Sequence, residues 1–108
     1  MPLVKIFAKH ALQKPIPLVS LQSKLCQIWG TKPDTTKLIL QRVDDWTDES
    51  FGEDVYVDIR AKGTDERSRE FVLDGMKQVQ KAFLEEKLIA NIRLETYEGS
   101  RYFHVPPP

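Results

Sequence analysis

Asp54-Val-Tyr-Val-Asp-Ile-Arg-Ala-Lys62 alternates two kinds of residue: Val55, Val57, Ile59 and Ala61 are apolar, while Tyr56, Asp58, Arg60 and Lys62 are polar or aromatic. A period of two sends the first set to one side of a β-strand and the second to the other. Such a strand has one face for a core and one for something wetter. The same period appears upstream, where Leu3, Lys5, Phe7 and Lys9 alternate with Val4, Ile6 and Ala8, so a strand starts directly after Pro2. It appears again downstream, where Ile92, Leu94 and Thr96 alternate with Arg93, Glu95 and Tyr97.

Helical spacing fills the gaps between these strands. Leu18, Leu21, Leu25 and Ile28 recur at three and four residues, and Gly30 supplies a stop. Thr31-Lys-Pro-Asp34 then makes a turn into Lys37-Leu-Ile-Leu-Gln-Arg-Val43, which reads as a strand inside a sheet. After the third strand Gly63 ends the ladder, and Thr64, followed by Asp65 and Glu66, is the expected cap of a second helix. The core stripe of that helix is Val72, Met76, Val79 and Phe83, with Leu88 near its end. Glu98-Gly-Ser100 is expected to turn the chain into a short fifth strand, Arg101 to Val105, before the Pro106–Pro108 tail.

The order is therefore β-α-β twice. It predicts an α+β fold in which a four-stranded sheet carries two helices on one face, plus a short C-terminal strand. The 108 residues suit one domain. Its halves are 2–43 and 54–97, joined by a loop at 44–53, with the C-terminal strand and proline tail at 98–108. The loop combines acids with Trp46 and Gly52 without periodicity, and is read as a link between the halves and a mobile lid flanking the site.

Composition removes several function classes. Sixteen Lys and Arg balance sixteen Asp and Glu, so no net charge is available to hold a nucleic acid or an anionic membrane. The apolar runs are too short to span a bilayer, and Met1-Pro-Leu-Val-Lys5 lacks the basic start of a secretory signal, which leaves the cytoplasm as the expected compartment. The single cysteine, Cys26, fits a reducing compartment and is read as a helix residue. His10 and His104 lack ligand spacing and are read as surface or interface residues, so no metal site is expected. Asp44, Asp45, Asp48 and Glu49 lack the glycine and closing glutamate of a calcium loop, and no glycine-rich phosphate loop occurs. No cofactor is expected.

Two helices cover one face of a four-stranded sheet, leaving Tyr56, Asp58, Arg60, Arg93, Glu95 and Tyr97 on the other. A solvated face and a wet interface or site both fit that mixture. The ferredoxin-like layout of RNA-recognition domains shares the element order, but the third strand here lacks their glycines and paired aromatics and carries acids instead.

Three features are similar to the tautomerase superfamily, which includes macrophage migration inhibitory factor and 4-oxalocrotonate tautomerase. They are Met-Pro opening directly into a strand (Pro2 to Ala8), the Gly30-Thr-Lys-Pro33 turn after the first helix, and the duplicated β-α-β plan. The resemblance implies a homotrimer with sites between subunits and a cofactor-free keto–enol isomerisation of a small 2-hydroxy-enoate or α-keto acid. It makes Pro2 the general base once Met1 is removed, and otherwise only the residue at which a strand starts. By the same resemblance, Lys32 occupies the turn position that reaches the site, unless it is simply an exposed turn lysine. Arg60 corresponds to the region that supplies a carboxylate-binding arginine. Arg42 falls in the second strand, where a functional arginine or a structural ion pair both fit. Arg93, Glu95 and Tyr97 lie on the strand that faces a neighbour's site, with Arg93 standing where migration inhibitory factor has a tyrosine and Glu95 where it has an asparagine. Decarboxylase and hydratase-type chemistries belong to the same family. A non-catalytic homo-oligomer acting through protein contacts is the alternative from another class.

Overall fold

A computed structural model of the chain describes residues 2–47, 52–63 and 68–108. Strands β1 (Leu3–Lys9) and β3 (Val55–Lys62) run antiparallel at the centre of one sheet. Strand β2 (Lys37–Val43) lies parallel to β1 on one edge, and β4 (Ala90–Tyr97) parallel to β3 on the other, giving the order β2-β1-β3-β4. A parallel pair needs a long crossover, which helices α1 (Leu18–Trp29) and α2 (Arg69–Glu85) provide. Because each β-α-β unit pairs its own two strands directly, the sheet differs from the ferredoxin-like split unit.

The alternation seen in the sequence decides which face is covered. Val4, Ile6 and Ala8 of β1 and Val55, Val57 and Ile59 of β3 are fully buried against Leu21, Leu25 and Trp29 of α1 and Val79 and Phe83 of α2. Burying side chains of this size contributes roughly 1.5–3 kcal/mol each, which is why the pattern fixes the register. Helix α1 ends as expected: Gly30 takes a left-handed φ of 66° and donates its N–H to the Cys26 carbonyl. On α2, Val79 and Phe83 are buried and Val72 and Met76 half-buried, with Gly75 lying under the Trp29 ring. Lys24 of α1 reaches Glu86 at 3.0 Å and Glu85 at 3.7 Å, tying the helices together. The hydrogen bond to Glu86 raises the Lys24 pKa.

Two expectations are corrected. The N-cap of α2 is Ser68, whose hydroxyl accepts from the Phe71 N–H at 3.1 Å. Helix α2 therefore begins later than a Thr64 cap requires, and Thr64, Asp65 and Glu66 lie outside the described residues. No fifth strand forms from Arg101 to Val105. Gly99–Arg101 is a short 3-10 turn, and the chain beyond it is extended but joins no ladder. That turn redirects the tail, and Tyr102 stacks face to face on Tyr97 instead of pairing its backbone with a strand. No helix among the described residues is long and apolar enough to cross a membrane.

Candidate active site

Pro2 is buried at the start of β1, and its carbonyl accepts the Lys37 N–H at 3.3 Å. Proline suits this place because it has no N–H to donate to a ladder. One residue further on, Leu3 is in register with Lys37 of β2 on one side and with Arg60 of β3 on the other. Paired residues share a face of the pleat, so Lys37, Leu3 and Arg60 form a row across the uncovered side of the sheet. The strand spacing puts the Lys37 and Arg60 backbones roughly 10 Å apart, one cation on each side of the strand that Pro2 begins.

These residues line one cavity of about 290 Å³. Pro2, Leu3 and Ile39 form its floor with Lys37 and Arg60, and Tyr97, Tyr102 and His104 complete the wall. The Arg60 guanidinium lies 6.0 Å from the Tyr97 ring centre, and Tyr97 and Tyr102 stack at 4.8 Å with their planes 25° apart. Neither Lys37 nor Arg60 forms an ion pair among the described residues. Two cations not paired with a carboxylate among the described residues, beside an aromatic wall, are suited to a small organic anion.

The other residues expected at the site are distributed around it. Glu95 is exposed and in register with Arg60 but does not line the cavity. Arg93 is two residues further along β4, in register with Asp58, and its guanidinium lies 5.3 Å from the Tyr56 ring centre. Lys32 is exposed in the turn before β2, at the end of the sheet where Pro2 lies, and it does not line the cavity. Arg42 is not brought to Pro2. It pairs with Ala8 near the opposite end of β1, on the helix-covered face, where its Nη1 donates to the carbonyls of Lys9 (3.1 Å) and Leu12 (3.2 Å).

Trp46 does not flank Pro2 either. It packs beside Lys9, with the ammonium 4.8 Å from its ring centre, about 20 Å along the strand from Pro2 at 3.3 Å per residue. Together with Phe7, Val43 and Tyr56 it lines a separate cavity of about 320 Å³. The Trp46 N–H and the Lys9 ammonium both donate to Asp45, holding its carboxyl below the usual aspartate range. Asp48 and Glu49 of this loop lie outside the described residues. Among the described residues no cluster of His, Cys, Asp and Glu is placed to hold a metal ion.

Three of the polar and aromatic cavity residues, Lys37, Tyr102 and His104, were not singled out from the sequence as site residues. Lys37 carries a legible signal: with Ile39 and Gln41 it occupies the face opposite Leu38 and Leu40. Tyr102 and His104 carry none, because they reach the cavity only through the turn at Gly99–Arg101.

This architecture recurs among solved structures. A malonate semialdehyde decarboxylase superposes with a TM-score of 0.69 over 98% of this chain and 92% of that one, at 10% sequence identity. A macrophage migration inhibitory factor of Toxoplasma gondii gives 0.61 over 94% of this chain and 95% of that one, at 10% identity. The chain has the tautomerase-superfamily fold. A fused 4-OT, with a TM-score of 0.62 over 91% and 87% of the two chains at 14% identity, has the same fold. No protein-family model matches the sequence, and no curated protein does. At such identities the likeness is one of architecture.

Proposed function

We propose that this chain is a cofactor-independent tautomerase in which Pro2, freed by removal of Met1, is the general base. The observation that carries the reading is the shared cavity: buried Pro2 sits with Arg60, Lys37 and Tyr97, and no carboxylate is among the described residues that line it. In the processed chain Pro2 bears a secondary amine. Burial and the two nearby cations disfavour its protonated form, which leaves a base available near neutral pH.

A small 2-hydroxy-enoate binds with its carboxylate on Arg60, assisted by Lys37, and with its unsaturated body against Tyr97 and Leu3. The hydroxyl proton passes to the Pro2 nitrogen, the oxygen becomes a carbonyl, and the electron pair of the double bond takes a proton at carbon. The cations stabilise the enolate charge while it exists. In support, the malonate semialdehyde decarboxylase of this fold is described together with a variant in which its proline at position one is replaced by alanine.

The assembly we propose is a homotrimer with the cavity at a subunit boundary. Among the described residues no helix covers the sheet face that carries Phe7, Ile39, Tyr56 and Tyr97, and the fused 4-OT of this fold is described as a symmetric trimer.

The enzymatic reading is tested by the ketonisation of 2-hydroxymuconate and phenylenolpyruvate by Met-free protein. Pro2→Ala keeps an amine but makes it primary and less constrained, and is expected to lower kcat/KM by about a hundredfold or more. Equal rates for wild type and Pro2→Ala would overturn the assignment.

A further inference from the structure

We propose that His104 is a second proton-transfer group of the Pro2 cavity, the one that delivers the proton to carbon. The inference deepens the tautomerase reading of Pro2 and rests on it.

The geometry of the tail points to this role. Beyond the turn at Gly99–Arg101 the backbone is extended, with Tyr102 at φ −105° and ψ 128°, so alternate side chains point to opposite sides. Tyr102 and His104 turn toward the sheet and line the cavity, their rings 6.5 Å apart. Phe103 and Val105 turn outward and are 86% and 92% exposed. A tail docked only to bury apolar surface would take the opposite register, with Phe103 and Val105 inward. This one leaves its most apolar residues in water and presents an imidazole to the cavity instead.

The chemistry of the wall leaves that imidazole a clear task. Lys37 and Arg60 are suited to hold an anion, and Leu3 and Ile39 are apolar. Tyr97 and Tyr102 are weak acids engaged in their stack. Histidine is the side-chain type that exchanges protons near neutral pH without special surroundings. The charged and titratable groups around His104 are Pro2 once processed, Lys37 and Arg60 from the sheet, and the phenols of Tyr97 and Tyr102, with Glu95 beside Arg60 and Lys62 beside Tyr97 on the same face. A bound carboxylate adds a negative charge to that set and favours the imidazolium.

The step balances. The substrate O–H bond breaks and its proton goes to the Pro2 nitrogen. The carbon–carbon π pair forms a C–H bond with the proton of the His104 imidazolium, whose N–H bond breaks. Afterwards Pro2 releases its extra proton to water and neutral His104 takes one back.

The test compares wild type, His104→Gln and Pro2→Ala, all Met-free, over a pH series with phenylenolpyruvate. His104 is exposed in a tail outside the core, so His104→Gln leaves the fold intact. In wild type the kcat profile should rise as Pro2 loses its proton and fall as His104 loses its own. His104→Gln should lower kcat at the optimum by about a hundredfold and abolish the falling limb, with KM within about twofold. An unchanged kcat and falling limb in His104→Gln, with Pro2→Ala inactive, overturns the role of His104 and leaves Pro2 as base. Unchanged rates in both variants overturn the Pro2 reading and this one with it. A readout free of turnover is the NMR titration of the two histidine ring protons with and without phenylpyruvate. The His104 ring resonances should change on binding, while those of His10, which faces Asp44 at 3.8 Å away from the cavity, should not. Equal behaviour of the two histidines contradicts the proposal.

Discussion

The backbone N–H of Lys37 donates to the carbonyl of Pro2 at 3.3 Å, so β2 holds the residue with which β1 begins. That bond involves no side chain, and substitutions at Lys37 and Arg60 therefore alter the charge around Pro2 without releasing it. Arg60→Ala is expected to raise KM for a carboxylate substrate by about ten- to a hundredfold, the equivalent of one charged hydrogen bond of about 1.5–3 kcal/mol. Lys37→Met should act in the same direction but less, since a guanidinium grips a carboxylate with two bonds and an ammonium as a point charge. Steady-state kinetics of both variants checks this. An unchanged KM in each would remove the carboxylate from this end of the sheet.

Arg42 should behave differently. Its Nη1 bridges the Lys9 and Leu12 carbonyls, so Arg42→Met removes both of these bonds, although the Lys9 carbonyl keeps the Leu12 N–H, and should cost about 1–2 kcal/mol of stability. Thermal unfolding is expected to show a Tm lower by several degrees, with KM and kcat of the folded protein unaltered. A raised KM at unchanged Tm would place Arg42 in the site after all.

The contrast between these arginines shows what the sequence carried. Strands β1 and β2 and helix α1 were readable because apolar periodicity and the Gly30 stop are local signals. Parity also carried information about Arg42, since a period of two groups it with Leu38 and Leu40, on the helix-covered face. Trp46 depended on topology: once β1 and β2 are parallel, the end of β2 lies far from the start of β1. The tail was illegible for another reason. Tyr102 meets Tyr97 across a turn, and a ring stack leaves no periodic trace that distinguishes it from a strand.

Packing between the helices gives a test of the fold itself. A Cβ placed on Gly75 would meet the Trp29 ring at 3.6 Å, an ordinary van der Waals contact, and the position lies inside α2. Gly75→Ala should therefore stabilise the protein by about 0.5–1 kcal/mol, because glycine is the poorer helix former. Urea denaturation measures the change. A lower midpoint for Gly75→Ala would mean that Trp29 sits closer to α2 than described.

The uncovered sheet face predicts assembly. Light scattering at micromolar concentration should give about three times the monomer mass, and a pair of like charges facing each other across subunits should break it. Tyr56→Glu adds a charge to that face beside Asp58 and is expected to shift the protein toward monomer. A wild-type monomer under these conditions would rule out a cavity at a subunit boundary.

Everything assigned to Pro2 depends on a free secondary amine, and one comparison examines that directly. Intact mass separates Met-free chains from chains that retain Met1, and the two forms can be assayed side by side on phenylenolpyruvate. In the retained form Pro2 is an amide nitrogen with no proton-accepting lone pair, whereas Arg60 and Lys37 are the same residues in both forms. The account predicts ketonisation by the Met-free form and loss of essentially all of it in the Met1-retaining form, with carboxylate binding less affected. Equal activity in the two forms would contradict it.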